Sequence, residues 1–276
     1  MNGSRARPVA AGTRLLPLIL ISNDDGIRAP GLIALAGRLA EVGDVVVSAP
    51  DRQRSATSHA ISLDHPLRAE EVSPGWFAVD GTPADCVYLG LHHLVPRRPS
   101  LVVSGINDGV NLGSDFFYSG TVAAAVEGAI RGLPAFAISL AGGPESGLGH
   151  AADFAYGLAC AILRDGLPAN VVLNVNVPNR GRPHGFRWTR LGARAYRDQV
   201  EARSDLRGRR YFWIGGPEVA VAGDVDADGT AVRADVISVT PLDLDLTSDA
   251  MLASRPAWQI PGFERIPAGE PDGGGG

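Results

Sequence analysis

The sequence predicts a three-layer α/β fold built on a mostly parallel sheet. Short apolar runs of strand length alternate with segments of helical periodicity through the first two thirds of the chain, and this alternation is typical of parallel strands joined by helices. The first run, residues 16–22, is almost entirely apolar, as expected for a strand buried on both faces. The 276 residues are 45% hydrophobic and 20% charged, which is a normal composition for a globular protein.

Six further strands and four helices are predicted in the same region. The clearest helix start is at Thr82, a predicted N-cap that is followed by Pro83 and, three residues after the cap, by Asp85. Residues 105–119, rich in Gly, Asn and Asp, are predicted to form a long loop. In chain order the predicted elements are helix 30–42, strands 44–48, 60–63 and 76–79, helix 82–94, strand 101–104, helix 121–131, strand 135–140, helix 151–164 and strand 171–177.

The pattern changes in the last third of the chain. Residues 186–216 are rich in Arg and aromatic side chains with little helical period, which is typical of a β-arm that packs on a neighbouring subunit. A strand at 236–240 and a short helix at 251–258 are predicted to follow. The predicted organisation is a disordered leader (1–14), a catalytic core (15–182), a β-arm for oligomerisation (183–235), a return to the core (236–262) and a disordered tail (263–276).

Composition excludes several classes of function. The net charge is −5 without a basic stripe, so we expect no binding to a nucleic-acid duplex. The chain has no lysine, which excludes a P-loop lysine and a Schiff-base lysine. Cys86 and Cys160 lack metal-binding spacing and indicate no disulfide framework. No apolar run reaches the roughly 18–20 residues of a membrane span, so we expect a cytoplasmic protein without a membrane partner.

Polar loops follow three of the predicted strands, at residues 23–26, 49–55 and 105–111. Because the carboxyl ends of parallel strands share one edge of a sheet, these loops are expected to converge. Their carboxylate, hydroxyl and amide oxygens suit a hard cation such as Mg²⁺ or Mn²⁺. Asp24 and Asp25 are the strongest candidate ligands, since adjacent buried carboxylates repel each other without a cation. The alternative is that they are N-cap or turn residues before the next helix.

The segment Tyr118–Thr121 precedes an apolar helix. Helix N-termini bind phosphate readily, Gly120 allows close approach to a ligand, and Ser119 and Thr121 add hydroxyl groups. Taken alone, the motif favours simple capping of the helix by Ser119 or Thr121. Beside an oxygen-only metal site the phosphate interpretation gains, because metal and phosphate cradle together are typical of phosphoryl chemistry.

Five segments of the chain, ILISNDDG, APDRQRSATSH, GTPADCV, VVSGINDGVNLG and YSGTVAAAVEGA, strongly resemble the SurE stationary-phase survival proteins, which are metal-dependent 5′/3′-nucleotidases. The resemblance is dense over about residues 16–180 and loose elsewhere. By motif match it implies that Asp24, Asp25, Ser55 and Asn107 bind the metal. It also implies a Rossmann-like core, and homodimers or homotetramers built with an exchanged C-terminal β-hairpin arm.

The resemblance further implies that Asn111 and the Ser119-Gly120-Thr121 turn bind the substrate phosphate. One departure is Tyr118, where many members of the family have His before this turn, so activity or substrate choice is expected to differ if that His takes part. All four metal-ligand positions match.

The resulting hypothesis is a phosphomonoesterase with one Mg²⁺ or Mn²⁺ per subunit. Asp24, Asp25 and Asn107 are the expected catalytic residues, and a metal-activated water attacks the phosphate of a nucleoside monophosphate or another small phosphomonoester. An aspartyl-phosphate mechanism needs Asp at positions i and i+2, and Asp24 is followed at i+2 by Gly26. The alternative from another class is a non-catalytic nucleotide-binding or assembly protein.

Overall fold

The computed structural model describes residues 15–142, 147–193, 195–196, 199–215, 218–219, 224–254 and 258–264. The predicted leader at 1–14 lies outside the described residues, as does the predicted tail except for residues 263 and 264. The chain divides into two compact units, Met1–Leu244 and Asp245–Gly276.

A nine-stranded sheet forms the centre of the first unit, with the spatial order β3-β4-β2-β1-β5-β6-β7-β13-β8. The strands of the described residues, numbered in chain order, are β1 (Leu18–Ser22), β2 (Asp44–Pro50), β3 (Ala69–Ser73), β4 (Trp76–Val79), β5 (Leu101–Asp108), β6 (Ala135–Leu140), β7 (Val171–Val177), β8 (Phe186–Trp188), β9 (Ala195–Tyr196), β10 (Gln199–Ser204), β11 (Arg210–Gly215), β12 (Glu218–Val219) and β13 (Ile237–Asp243). The six strands from β4 to β7 in the spatial order are parallel, whereas β3 and β13 run antiparallel to them.

Helices cover both faces of this sheet, which confirms the predicted three-layer α/β fold. On one face, helices α1 (Pro30–Leu39) and α4 (Leu148–Asp165) pack over a core that includes Ile19 and Ile21. On the other face, α2 (Pro83–Leu89) and α3 (Gly120–Ile130) pack over a core that includes Leu18 and Leu20. Because successive residues of β1 alternate between these two cores, the run is apolar throughout. The remaining helices are α5 (Asp228–Arg233) and, in the second unit, α6 (Asp249–Ser254).

The strand order places a crevice between β1 and β5. From β1 the chain passes to β2 on one side, and it later returns to place β5, β6 and β7 on the other side. Ligands of open α/β sheets bind outside the carboxyl ends of the strands at such a change of direction. The first polar loop noted in the sequence follows β1, and the third spans the last four residues of β5 and the turn after it.

One predicted strand is wrong and one edge strand was not predicted. The strand predicted at residues 60–63 is wrong, because this segment is irregular and Ser62 is bonded to a side chain instead: its N and Oγ donate to the Asp85 carboxylate at 2.9 and 2.7 Å. The true edge strand is β3, whose five residues are all exposed and which pairs antiparallel with β4. It carries no apolar alternation, so hydrophobic periodicity did not predict it.

Other boundaries differ less. The predicted capping box is confirmed: Asp85 N donates to Thr82 Oγ1 at 3.1 Å, and Thr82 N donates to Asp85 Oδ2 at 2.9 Å. The helix that begins there is α-helical only to Leu89 and ends in a π-helical turn, Gly90–Leu94. Strand β5 continues four residues beyond its predicted end, and a 3₁₀ turn, Gly113–Phe117, interrupts the predicted loop.

The predicted β-hairpin arm is present. Strands β10 and β11 pair antiparallel, form a two-stranded sheet of their own, and are exposed along their whole length. Among their exposed side chains are Phe212, Trp213 and Ile214, the last with 89% exposure. After the hairpin the chain returns to the main sheet as β13, which ends three residues beyond the predicted end at residue 240. In the second unit the final helix begins two residues before its predicted start, and residues 255–257 of that prediction lie outside the described part.

Candidate metal and phosphate site

Asn23 closes the turn that follows β1. Its Nδ2 donates to Gly26 O at 3.0 Å, and its Oδ1 accepts from Gly26 N at 3.2 Å. Gly26 has φ +102°, and a Cβ there would lie 3.1 Å from the carbonyl carbon of Arg52, so glycine fits where other residues would be strained. The N-cap of α1 is Ala29, which makes no side-chain capping bond. Neither aspartate is the N-cap of α1, so the capping half of the alternative is wrong. Both aspartates do lie within the turn that Asn23 closes.

Asp24 is nearly buried, with 6% exposure, and lies against the start of α3. The Thr121 hydroxyl donates a hydrogen bond to Asp24 Oδ1. A Cβ on Gly120 would lie 2.9 Å from Asp24 Cβ, so only glycine permits the helix to approach this closely. Burial raises the pKa of Asp24 from 3.8 to about 6, against the lowering effect of the Thr121 hydrogen bond, and the charge of Asp25 raises it further.

Asp25 is half-buried beside the end of β5. Its Oδ2 accepts a hydrogen bond from Asp108 N at 3.1 Å. Burial raises the pKa of Asp25 above its ordinary value, and the charge of Asp108 acts in the same direction. Across the described ranges of the chain, no Arg or His forms an ion pair with Asp24 or Asp25. Two neighbouring carboxylates thus share a site that lacks a compensating positive side chain.

Asn107 meets Asp25 in a cavity of about 230 Å³. Asn107 Nδ2 donates to Gly109 O at 2.7 Å, so the side-chain amide is held by its own turn. Apolar side chains from the start of α1 and from the α4 side form most of the remaining wall. The cavity is lined by Asp25, Ala29, Pro30, Gly31, Gln53, Ile106, Asn107, Asp108, Leu140 and Leu148.

The loop with Ser55 contacts the same site through its backbone. Arg54 N donates to Asp24 O at 2.7 Å, so Ser55 lies one residue beyond a direct contact with the aspartate pair. The Ser55 side chain is exposed, and its Oγ accepts a hydrogen bond from Gln53 Nε2 at 3.0 Å. Gln53 lines the cavity and Ser55 does not. The structure therefore brings the Ser55 loop to the aspartates, with the Ser55 hydroxyl at the rim.

Asn111 is fixed to the sheet rather than to the aspartates. Its N donates to Asn176 Oδ1 at 2.8 Å, and its Nδ2 donates to Ser139 Oγ at 2.8 Å. Its carbonyl oxygen accepts from Asn174 Nδ2 at 2.8 Å. Ser139 is on β6, and Asn174 and Asn176 are on β7. Asn111 therefore anchors its loop to the strands that lie two and three places from β1 in the sheet.

The start of α3 serves as a capped helix end and as a contact for Asp24. Ser119 is the N-cap, and its Oγ accepts from Val122 N at 3.1 Å, so the capping interpretation is correct for Ser119. Thr121 instead points to Asp24, as described above. Both Gly120 and Thr121 are buried. Tyr118, by contrast, is exposed, and its carbonyl oxygen accepts from Ser58 N at 3.1 Å.

The donor set fits a hard divalent cation. Within the described ranges, no three His, Cys, Asp or Glu side chains form a metal-binding group. Two carboxylates with the oxygens of Asn107 and Ser55 make a different set, in which every donor is oxygen. The raised pKa values of Asp24 and Asp25 show that burial opposes their ionisation. A bound cation would reverse that effect, because an opposite charge favours the ionised form.

Gln53 and Leu148 are two of the cavity-lining residues that were not predicted as site residues. Gln53 lies in one of the three polar loops, so its position after β2 was a usable signal. Leu148 begins α4, far along the chain, and no local pattern connects it to the aspartates. Helix packing alone brings it to the cavity wall.

Known proteins with similar sequences and folds share this arrangement of elements. The sequence profile of the family described as survival protein SurE matches residues 19–198. A 5′-nucleotidase SurE from Anaeromyxobacter sp. (strain Fw109-5) is 51% identical over 253 residues, covering 91% of this chain and 99% of that protein. Another, from Geobacter sulfurreducens, is 49% identical over 258 residues, covering 92% and 98%. The crystal structure of the SurE protein from Aquifex aeolicus has a TM-score of 0.78 and 40% identity, covering 86% of this chain and 98% of that one.

Proposed function

The chain belongs to the SurE family, and from that premise we propose that this nucleotidase hydrolyses nucleoside monophosphates with one bound Mg²⁺ or Mn²⁺ per subunit. Relatives named 5′-nucleotidase SurE are 51% and 49% identical to this chain over about nine tenths of its length. The protein is therefore a nucleotidase. The proposal includes activity on 3′-monophosphates and other small phosphomonoesters. It also includes the identity of the cation and of the residues that would hold it.

One contact carries the proposal: the Thr121 hydroxyl at the start of α3 donates to the buried Asp24 carboxylate. The contact places a helix N-terminus directly beside a pair of carboxylates. Free N–H groups and the positive end of the helix dipole attract a phosphate, while the carboxylates attract a cation. A phosphoryl group bound beside this contact would face the helix N-terminus on one side and a cation held by the carboxylates on the other. A metal site and a phosphate cradle together are typical of phosphoryl chemistry.

The proposed roles follow from these positions. When bound, a divalent cation supplies Lewis acidity, polarising a phosphate oxygen and lowering the pKa of a nearby water. Asp24 and Asp25, with Asn107 Oδ1 and Ser55 Oγ, are the residues that would hold it. Thr121 orients Asp24 through its hydroxyl, and one of the two aspartates accepts the proton of the attacking water.

The substrate is held by the chain's own groups on both sides of the phosphate. The Ser119-Gly120-Thr121 turn is the proposed contact for the phosphoryl oxygens, and Ser119 keeps this turn in place as the N-cap. Asn111 acts at a distance by fixing the loop between β5 and α3 to the sheet. The cavity beside Asp25, with apolar walls from Ala29 and Leu148, accommodates the organic part of the substrate.

We also infer that residues 183–235 are an oligomerisation region. The β10–β11 hairpin extends apolar side chains, among them Phe212 and Ile214, into solvent. Exposed apolar surface of this kind marks interaction sites, so a second copy of the chain in a homodimer or homotetramer is the proposed partner.

No helix among the described residues has the length and apolar character to cross a membrane. Cys86 and Cys160 are both free, which fits the reducing cytoplasm that we propose as the location.

The test is phosphate release from 5′- and 3′-nucleoside monophosphates in Mg²⁺, Mn²⁺ or EDTA. We expect turnover only with the cation, and a loss on the order of 100-fold or more in Asp25→Asn, because metal charge stabilisation is worth several kcal/mol. Asp165→Asn is the matched control, since Asp165 is an exposed residue at the end of α4. Nucleotide binding without phosphate release under every condition would instead support a non-catalytic nucleotide-binding protein.

A further inference from the structure

The loop that carries Ser55 is exposed at that residue, and its near end is held by Arg54 N, which donates to Asp24 O at 2.7 Å. Arg52, Gln53, Ser55 and Ala56 are all exposed, and Ala56 adopts the left-handed φ of 57°. The only hydrogen bond that the described residues give to the Ser55 side chain comes from Gln53 within the same loop. A hydroxyl in such a loop contributes little to a metal site unless other contacts fix the loop, since ordering it costs conformational entropy.

Contacts with α3 and the turn before it fix the far end of this loop. Ser58 Oγ donates to Phe117 O at 2.6 Å, and Ser58 N donates to Tyr118 O at 3.1 Å. His59 Nε2 then donates to Glu127 Oε2 at 2.9 Å. Glu127 lies on α3, about two turns after the Gly120 turn. The same helix therefore contacts Asp24 through its first turn and the Ser55 loop through its middle.

Glu127 is an unusual residue for that position because its side chain is only 3% exposed. A buried carboxylate is strongly unfavourable unless it is paired and hydrogen-bonded. Its partners are His59 and Arg131, whose Nε donates to Glu127 Oε1 at 2.8 Å. Burial acts to raise the pKa of Glu127, but the hydrogen bonds from His59 and Arg131 outweigh it and hold the pKa below its ordinary value. The carboxylate thus accepts hydrogen bonds from two donors, Arg131 at the end of its own helix and His59 in the loop.

We propose that Glu127 is a positioning residue that holds the Ser55 loop beside the aspartate pair through its hydrogen bond to His59. The inference rests on the proposed function, because it gives the loop a purpose at the metal site. Helix α3 is the common support: Thr121 sets the orientation of Asp24, and Glu127 sets the position of the loop. Residues that orient metal ligands in this way typically contribute 10–100-fold to metal affinity or activity.

The experiment separates the loop partner of Glu127 from its helix partner. His59→Ala removes the tether, His59→Gln retains a hydrogen-bond donor, and Arg131→Ala is the matched control that removes the other partner of the same carboxylate. In EDTA, hydrogen exchange of peptides covering residues 51–60 and 120–130 reports loop order without any metal. We expect His59→Ala to exchange about 10-fold faster in 51–60 only, and Arg131→Ala to affect 120–130 instead.

Mn²⁺ titration by calorimetry then measures the effect on the site. His59→Ala is expected to weaken Mn²⁺ binding by about 10-fold, while His59→Gln and Arg131→Ala stay close to wild type. Unchanged exchange in 51–60 together with unchanged Mn²⁺ affinity in His59→Ala would overturn the proposal and leave Glu127 as a structural ion pair. Wild-type protein that binds no Mn²⁺ would contradict the proposed function, and the exchange data in EDTA would still decide the tether.

Discussion

Asp24→Asn should stabilise the metal-free protein, although it removes a proposed ligand. The pKa of Asp24 is raised from 3.8 to about 6, so the folded state binds the proton more tightly than the unfolded state does. As pH rises through this window the folded state loses stability, and the loss is complete above pH 6. Two pKa units correspond to about 3 kcal/mol, which sets the upper limit of the gain on removing the charge.

The assay is urea unfolding in EDTA at pH 7.5 and again at pH 4.5. We expect the free energy of unfolding of Asp24→Asn to exceed that of wild type by about 1–3 kcal/mol at pH 7.5, with a smaller difference at pH 4.5, where wild-type Asp24 is largely protonated. In saturating Mn²⁺ wild type should become the more stable protein. A cation at 100 times its Kd stabilises wild type by about 2.7 kcal/mol, whereas the variant lacks one of the proposed ligands and gains less.

Asp165→Asn serves as the control, since its carboxylate is exposed and is paired with Arg164 at the end of α4. It should follow wild type in both EDTA and Mn²⁺. The reasoning would be refuted if Asp24→Asn were no more stable than wild type in EDTA at pH 7.5, or if Mn²⁺ stabilised both proteins equally.

Three further predictions each concern one residue. Gly120→Ala should lower kcat/KM by at least about 10-fold with the fold retained, because its Cβ would lie 2.9 Å from Asp24 Cβ; phosphate release and circular dichroism check this. Asp228→Ala should lower the free energy of unfolding by about 2–4 kcal/mol in urea titrations, because the buried carboxylate accepts from Gly113 N at 2.7 Å and Gly192 N at 2.9 Å. Ile214→Glu should reduce the oligomer mass in light scattering if the hairpin face binds a second copy, and an unchanged mass would exclude that face.

Much of the fold was predictable because its core follows simple periodicity. The run ending at Ser22 is buried on both faces, and the strands at 135–140 and 171–177 were predicted with the boundaries that the structure has. The Thr82 capping box was also predictable, since its bonds join residues three apart. Strand β3 was missed because an exposed edge strand is fixed by its pairing with β4 and not by apolar alternation.

The candidate site was predictable as a set of loops but not as a set of contacts. Because parallel strands end at one edge, the position of Asp24 and Asp25 beside the Asn107 loop followed from strand order alone. The sequence left open whether the aspartates cap α1. The structure shows that the N-cap is Ala29, and that both aspartates lie within the turn that Asn23 closes.

By itself, the sequence determined the layers, the strand ends and the kinds of atoms at the edge of the sheet, because these depend on residues near one another in the chain. Only the tertiary structure decided that Thr121 bonds Asp24, that Asn111 is fixed to β6 and β7, and that Glu127 holds His59. These contacts join residues on separate elements, and their geometry depends on how helix α3 packs on the sheet. Helix packing is set by the whole core, which no local pattern contains.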